Sequence, residues 1–367
     1  MFVPERNNMT SSEPREVIRV GSRNSELALI QTKHVINCLK DLYPKKKFEI
    51  VTMKTKGDKI LDKSLPKIGE KSLFTEELEL ALEQGRVDFL VHSLKDLPTT
   101  LPKGMILGAI LKREDERDAV VMSKKFEGKT LSTLPEGSII GTSSLRRSAQ
   151  LARNMPNLQV ENIRGNLNTR LKKLDDENGP FAAIILAAAG LKRMGWHDRI
   201  SQILEPEEAL YAVGQGAIGV ECRESDWEIL SLLEPLYDVN TTLRCVCERS
   251  FLKTLGGGCS APVAVSSSLI DDNLTITGAV WSLDGQTLIQ HTLDKKLFIP
   301  YDDGEPPKKC PYREPRLYCS VAPGKVSGLS LAGAEDLGNK VAQSLVDKNA
   351  LEIMLNARNE VLNPTKS

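Results

Sequence analysis

The segment GTSSLRRSAQLARNMPNLQVENIRGNLNTRLKKL, residues 141–174, holds Arg146, Arg147, Arg153, Arg164, Arg170, Lys172 and Lys173 against a single acid, Glu161. The whole chain is neutral, with 49 basic and 49 acidic residues among 367, so no global field draws it to nucleic acid or an anionic membrane. A local cluster of guanidinium groups therefore implies a local anion. Arginine's planar fork suits a carboxylate or a phosphate bidentately, whereas lysine acts as a point charge. Gly141-Thr142-Ser143-Ser144 adds hydroxyls and backbone N–H groups at what reads as a helix N-terminus, a natural anion site. There the helix dipole disfavours Arg146 and Arg147 by roughly 0.3–1 kcal/mol, a penalty that a bound anion reverses. The sequence has no GxxxxGK[ST] and no GxGxxG after a strand, so a nucleotide is weakly supported. Lys172, Lys173 and Arg153 read as an ordinary solvated helix face.

A second chemical element is VHSLKDLPT, which puts Lys95 and Asp96 just after a buried strand, with Pro98 restricting Leu97. Asp96 is the only acid we find among the strand-end arginines, and an acid in a cationic pocket is a partner for positive charge developing on a substrate. An aspartate in such a turn equally well caps a neighbouring N–H. The third is LGGGCSAP, where three glycines leave the Cys259 thiol uncrowded; a buried structural cysteine is the more common use of that residue. The lysine-rich stretch 55–74, TKGDKILDKSLPKIGEKSLF, suits a lid over an anionic ligand or an ordinary surface loop.

Elements must bring these pieces together. From Val17, short apolar runs alternate with amphipathic ones, the pattern of strands joined by crossover helices. VIRVGS, FEIVTMKT and VDFLVHSL read as strands, with helices over 25–44 and 73–85; DAVVMS, SIIGTS, LQVENIR and FAAIILAA form a second set, with helical SLRRSAQLARNM and NLNTRLKKL between them. The expected fold is α/β: two doubly wound, mostly parallel α/β domains and a smaller α+β third domain. Domain 1 takes 17–114 and 213–237, domain 2 takes 115–212, and domain 3 takes 238–367 with an irregular insertion at about 294–325. AVGQGAIGVECR, 212–223, reads as a strand crossing back between the first two. In such sheets the loops at the carboxyl ends of the strands gather in one crevice, and Arg23, Arg146, Arg147, Arg164 and Arg193 all fall at strand-to-helix junctions.

Seven cysteines (38, 222, 245, 247, 259, 310 and 319) without paired CxxC spacing, and four histidines, fit a reduced protein without structural zinc. Residues 1–16 lack the apolar core of a secretory signal, and no run approaches the roughly 18 apolar residues that cross a bilayer. The expectation is a cytosolic monomer with no metal, membrane or nucleic-acid partner. Aromatics are 5% of the chain and none interleaves with the basic segment, so RNA stacking is unsupported.

GSRNSELALIQ, KGDKI, GEKSLFTEELE, VHSLKDLPT, GTSSLRRSAQL, IRGNLNTRLKKLD, LAAAGLKRMG, AVGQGAIGVE and GGGCSAPV stand in this order between Val17 and Val265. Together they resemble the porphobilinogen deaminase (hydroxymethylbilane synthase) family. The resemblance implies a transferase that joins four porphobilinogen molecules, with loss of ammonia, into 1-hydroxymethylbilane, on a dipyrromethane primer held by thioether to Cys259. It implies lobes like those of two-lobed periplasmic binding proteins. It gives Asp96, with Lys95 and Arg23, the catalytic part. Cofactor binding falls to Lys95, Asp96, Ser143, Ser144, Arg146, Arg147, Arg170, Gln215 and Gly216, and substrate binding to Arg23, Gln31, Arg164, Asn166 and Arg193. The insertion resembles the eukaryotic branch. Lys253, where the family pattern has Arg, and Gly256, where Glu is common, depart from it; Lys253 keeps the charge and loses the fork. The alternative is a non-catalytic two-lobed anion-binding protein, which needs the arginines but neither Asp96 nor Cys259.

Overall fold

The structure, a computed structural model, describes residues 15–55, 57, 75–256, 261–298 and 316–362. Thirteen strands are described. β1 (Val17–Arg23), β2 (Lys47–Met53), β3 (Phe89–Ser93) and β4 (Met105–Ile110) belong to a first unit. β5 (Asp118–Met122), β6 (Ile139–Gly141), β7 (Gln159–Glu161), β8 (Phe181–Ala187) and β9 (Gln202–Leu204) belong to a second. β10 (Ile218–Arg223) returns to the first, and β11 (Val263–Ile270), β12 (Asn273–Trp281) and β13 (Leu288–Lys296) form an antiparallel meander.

The sheet orders are β2-β1-β3-β10-β4 and β7-β6-β8-β5-β9. In each sheet four strands share one direction, and the fifth, β10 or β5, runs against its neighbours. Both exceptions are the strands that have just crossed from the other unit. This topology places the site, because an opposed strand begins at the edge where its parallel neighbours end. Asp118, first in β5, pairs with Ala187, last in β8; Ile218, first in β10, pairs with Ser93, last in β3. Both crossovers are thereby delivered to the crevice formed by the carboxyl ends of the other strands.

The helices follow their sequence signals. Ser25 caps the helix Glu26–Leu42 by accepting from the Ala28 N–H at 3.4 Å, and Glu26 lies in its positive first turn. The helix Leu145–Asn154 buries Ala149, Gln150 and Leu151 along with Arg146 and Arg147. The second sheet has a core on each face, Val120, Ile140 and Ile185 on one and Val121, Ile184 and Leu186 on the other. The first sheet's core instead runs without a break into the third unit, from Val20 and Leu107 to Phe251, Ile276 and Leu337. Two strands were absent from the sequence reading. β4 is buried at every position and shows no alternation, and β9 has three residues. The C-terminal stretch forms two helices, Gly328–Val346 and Ala350–Leu362, broken where Asn349 takes φ +67°. Asp294–Lys296, assigned to the insertion, end β13; residues 299–315 of that insertion, and the lid segment at 56 and 58–74, lie outside the described residues.

Candidate active site

Asp96 ends a single 3-10 turn, Leu94–Asp96, that continues β3. Leu94 and Leu97 are buried on either side, and Leu97 N–H closes the turn on Leu94 O at 3.2 Å. Asp96 itself is exposed, and among the described residues its carboxylate makes no hydrogen bond or ion pair. Lys95 is half-buried and its Nζ donates to Gln215 Oε1 at 3.4 Å. Burial pushes the Lys95 ammonium down to about 8; Asp96 opposes that shift and Arg147 adds to it.

Gln215 joins the two units. Fully buried, it donates from Nε2 to Asp118 Oδ1 at 2.8 Å and to Glu116 O at 2.7 Å. Its backbone is tied to the third unit through Arg113. Arg113 Nε donates to Gln215 O at 2.7 Å, and Glu248 accepts from Arg113 at 2.6 and 3.0 Å, from Gly214 N–H at 2.8 Å and from Ser267 Oγ at 2.6 Å. Burial opposes ionisation of Glu248, but Arg113 outweighs it and holds the carboxyl below its usual range. Next along the chain, Gly216 has φ +85°, and a Cβ there would lie 2.4 Å from Glu114 O. Only glycine lets the two crossovers pass this closely.

Asp118 is a carboxylate that the sequence reading missed, and its presence corrects the view of Asp96 as the only acid among the arginines. It accepts from Arg146 Nη1 at 2.7 Å and Nη2 at 3.3 Å, and from Arg147 Nη2 at 2.7 Å and Nε at 3.1 Å. Arg146 also donates to Leu210 O at 2.7 Å and Arg147 to Ile185 O at 2.9 Å. All three side chains are buried. Burial resists ionisation of Asp118, but Arg146 and Arg147 outweigh it and hold its carboxyl far below the usual carboxylate range. The clue was available only with topology. RDAVV shows an acid at a strand's first residue, which is remote from the crevice if the strand is parallel and in it if the strand is opposed.

The remaining arginines differ in their engagement. Arg164 and Arg170 have no carboxylate partner among the described residues; Arg170 Nε donates to Gly165 O at 2.8 Å. Burial first, then Arg147 and Arg164, bring Arg170 down to about 10, so it stays charged at neutral pH. Arg193 reaches across to Gly216 O at 2.7 Å. Arg23, the last residue of β1, is half-buried.

Several predicted residues are engaged in the frame. Gln31 is buried and its amide exchanges hydrogen bonds with Ser93 Oγ at 2.9 and 3.1 Å. Asn166 caps the helix Leu167–Leu174 by accepting from the Thr169 N–H at 2.9 Å. Ser143 Oγ donates to Ile163 O, tying β6's end to the loop that carries Arg164. Ser144 is the N-cap of the arginine helix and makes no side-chain cap bond. Lys95, Asp96, Gln215, Gly216, Asp118, Arg146, Arg147 and Arg170 are thus one connected or mutually charged set. Cys259 lies outside the described residues. The described thiols, Cys38, Cys222, Cys245, Cys247 and Cys319, are all shifted up by burial, Cys319 to about 11 and Cys245 to about 12, which makes each a poor nucleophile at neutral pH.

Comparison with known proteins adds to this geometry. Residues 18–231 match the family described as "Porphobilinogen deaminase, dipyromethane cofactor binding domain", and 242–308 match "Porphobilinogen deaminase, C-terminal domain". The chain is 55% identical over 279 residues to the porphobilinogen deaminase of Synechococcus elongatus, covering 76% of this chain and 87% of that protein. It is 45% identical over 337 residues to that of a Synechococcus species, covering 92% and 95%. Among solved structures it is similar to the OxyR2 regulatory domain of Vibrio vulnificus (TM-score 0.38, 15% identity, 62% of this chain and 96% of that one). It is also similar to the methionine-binding protein MetQ (TM-score 0.36, 14%, 64% and 90%). Those scores are too low to carry an argument.

Proposed function

The chain belongs to the porphobilinogen deaminase family, and on that premise we propose how its own residues divide the work. It is a transferase that joins four porphobilinogen molecules, releasing ammonia, into the linear 1-hydroxymethylbilane of haem biosynthesis. When bound, the dipyrromethane group supplies the pyrrole carbon on which the chain grows. The residues fit such a group, since each ring brings an acetate and a propionate, and Arg164 and Arg170 stand without carboxylate partners in the cleft.

The observation that carries the assignment of roles is the contrast between two carboxylates. Asp118 is buried and engaged by two guanidinium groups and an amide; Asp96 is exposed and free of partners among the described residues. Asp96 is the acid left to hold a pyrrole N–H and to stabilise the cation that forms as the substrate's C–N bond breaks and ammonia leaves. Lys95, Arg146, Arg147 and Arg170, with Ser143, Ser144, Gln215 and Gly216, hold the primer's acid groups. Arg23, Arg164 and Arg193 take those of incoming porphobilinogen, with Gln31 and Asn166 shaping the loops beneath. Cys259, in GGGCSAPV, is the attachment point that the family resemblance implies. In the same reading the enzyme is a cytosolic monomer that works without a metal. No group of three His, Cys, Asp or Glu among the described residues is arranged to hold an ion, and no described helix is long and apolar enough to cross a membrane. The division into domains at 115, 213 and 238 belongs to this proposal.

Intact mass tests it. The purified protein should exceed its polypeptide mass by two linked pyrroles, and Cys259→Ser should show the polypeptide mass alone. An unmodified parent that stays unmodified after incubation with porphobilinogen would favour the anion-binding alternative.

Lys95 adds a pH dependence. With its ammonium near 8 in the free enzyme, a bound carboxylate requires the protonated form, so affinity should fall as pH rises above about 8, by up to about tenfold per unit. Uptake of the dipyrromethane primer by the apoenzyme, followed from pH 7 to 9.5, should weaken in the parent and stay constant in Lys95→Arg, whose guanidinium remains charged throughout.

A further inference from the structure

Arg249, on the helix Val239–Thr254, is buried to 1% exposure. Among the described residues it makes no ion pair with a carboxylate, and the buried Glu221 acts on it only at longer range. Its guanidinium faces backbone carbonyls only, donating to Pro98 O at 2.8 Å, Leu97 O at 3.4 Å and Cys319 O at 3.1 and 3.3 Å. Burial lowers the pKa of this group. A buried cation without a directly paired counter-ion is costly, and apolar packing is commonly as good for stability. What a guanidinium offers instead is a rigid fork that ties several oxygens at once.

The tied segments bracket the catalytic loop. Leu97 follows Asp96 directly, and Pro98 has no N–H with which to anchor itself. On the other side, Cys319 and Ser320 both sit in the left-handed region, with φ +50° and +64°. Ser320 Oγ accepts from Leu101 N–H at 3.0 Å, and Ser320 O from Leu107 N–H at 2.8 Å. Strained backbone of this kind persists where its surroundings over-determine it. The loop 97–101 is thus clasped between the third unit's helix and this turn.

We propose that Arg249 is a positioning residue for the transferase reaction, fixing the Leu97–Pro98 backbone so that the Asp96 carboxylate keeps a set place relative to the helix Val239–Thr254. The inference rests on the role given to Asp96. Displacing a reacting group by about 1 Å costs on the order of a hundredfold in rate, whereas the arginines that bind substrate acids are untouched. Arg249→Met should therefore lower kcat by about ten- to a hundredfold with KM for porphobilinogen within about threefold of the parent.

The decisive test is a double-mutant cycle on the full-length enzyme loaded with its primer, with ammonia release followed at excess enzyme. If Arg249 acts through Asp96, Arg249→Met should slow the parent but cause no further loss in an Asp96→Ala background. An equal loss in both backgrounds, or a folded Arg249→Met with kcat within threefold of the parent, overturns the proposal. Should Arg249→Met fail to fold, Arg249→Lys, which keeps the charge and loses the fork, enters the same cycle with the same expectations. An Asp96→Ala variant that is itself as active as the parent removes the role of Asp96 and this proposal together. A slow Asp96→Ala beside an unaffected Arg249→Met removes only the second.

Discussion

Asp96→Ala should leave a folded protein whose turnover of porphobilinogen is reduced by about 10²–10⁴-fold, the range found when a group that stabilises developing charge or moves a proton is removed. Folding should be spared because the side chain is exposed and makes no hydrogen bond among the described residues. Exposed positions of that kind shift stability by no more than about 0.5 kcal/mol. Asp96→Asn separates two parts of the role, since the amide still accepts a hydrogen bond from a pyrrole N–H but offers no charge to a cation. Its turnover should lie close to that of Asp96→Ala if charge dominates. The measurement is ammonia release per enzyme, beside a thermal melt. Turnover within threefold of the parent would end the assignment, and a melt lowered along with the rate would make Asp96 a structural cap. The anion-binding alternative predicts no ammonia from parent or variant.

Much of this site was legible in the order of residue types. Asp96 could be placed because a buried apolar run followed by Lys-Asp-Leu-Pro leaves only a strand end and a loop. Arg146 and Arg147 could be placed because Gly-Thr-Ser-Ser before an amphipathic run marks a helix N-terminus. What local pattern could not supply was the direction of β5, because strand direction is decided by which edge of the sheet a crossing chain enters, through contacts distant in sequence. Asp118 was missed for that reason alone. The same gap hid Glu248 and Arg249, whose use no local pattern on their helix reveals. Their partners, Ser267, Gly214 and Arg113 for one and Leu97, Pro98 and Cys319 for the other, lie at least 19 residues away in sequence. Gln31 and Asn166 show the converse. Their positions match a binding pattern, but burial against Ser93 and a free helix N-terminus give those amides local hydrogen bonds.

Asp118→Asn should be the most destabilising single change in the site. It leaves Arg146 and Arg147 buried side by side with no counter-charge and only Leu210 O, Ile185 O and the new amide oxygen to receive them, and removing one partner of a buried ion pair costs about 3–5 kcal/mol. For a unit of roughly 100 residues that corresponds to an apparent melting point lower by about 12–20 °C. Arg147→Met should cost less, because Asp118 keeps Arg146 as its counter-ion. The pair Asp118→Asn with Arg147→Met should be more stable than Asp118→Asn alone, since one buried cation is gone. If Asp118→Asn melts with the parent, the triad is not a buried ion cluster in solution. The sign of the pH effect follows from the depressed carboxyl of Asp118. Its contribution is complete above the unfolded aspartate value of about 3.9 and is lost only as pH falls below that value toward the folded one. The gap between parent and Asp118→Asn should therefore be constant from pH 5 to 8. Because the two arginines lack a counter-charge in the variant, added phosphate should raise its melting point more than the parent's. A primer-loaded sample should gain more still, its carboxylates standing in for the missing aspartate.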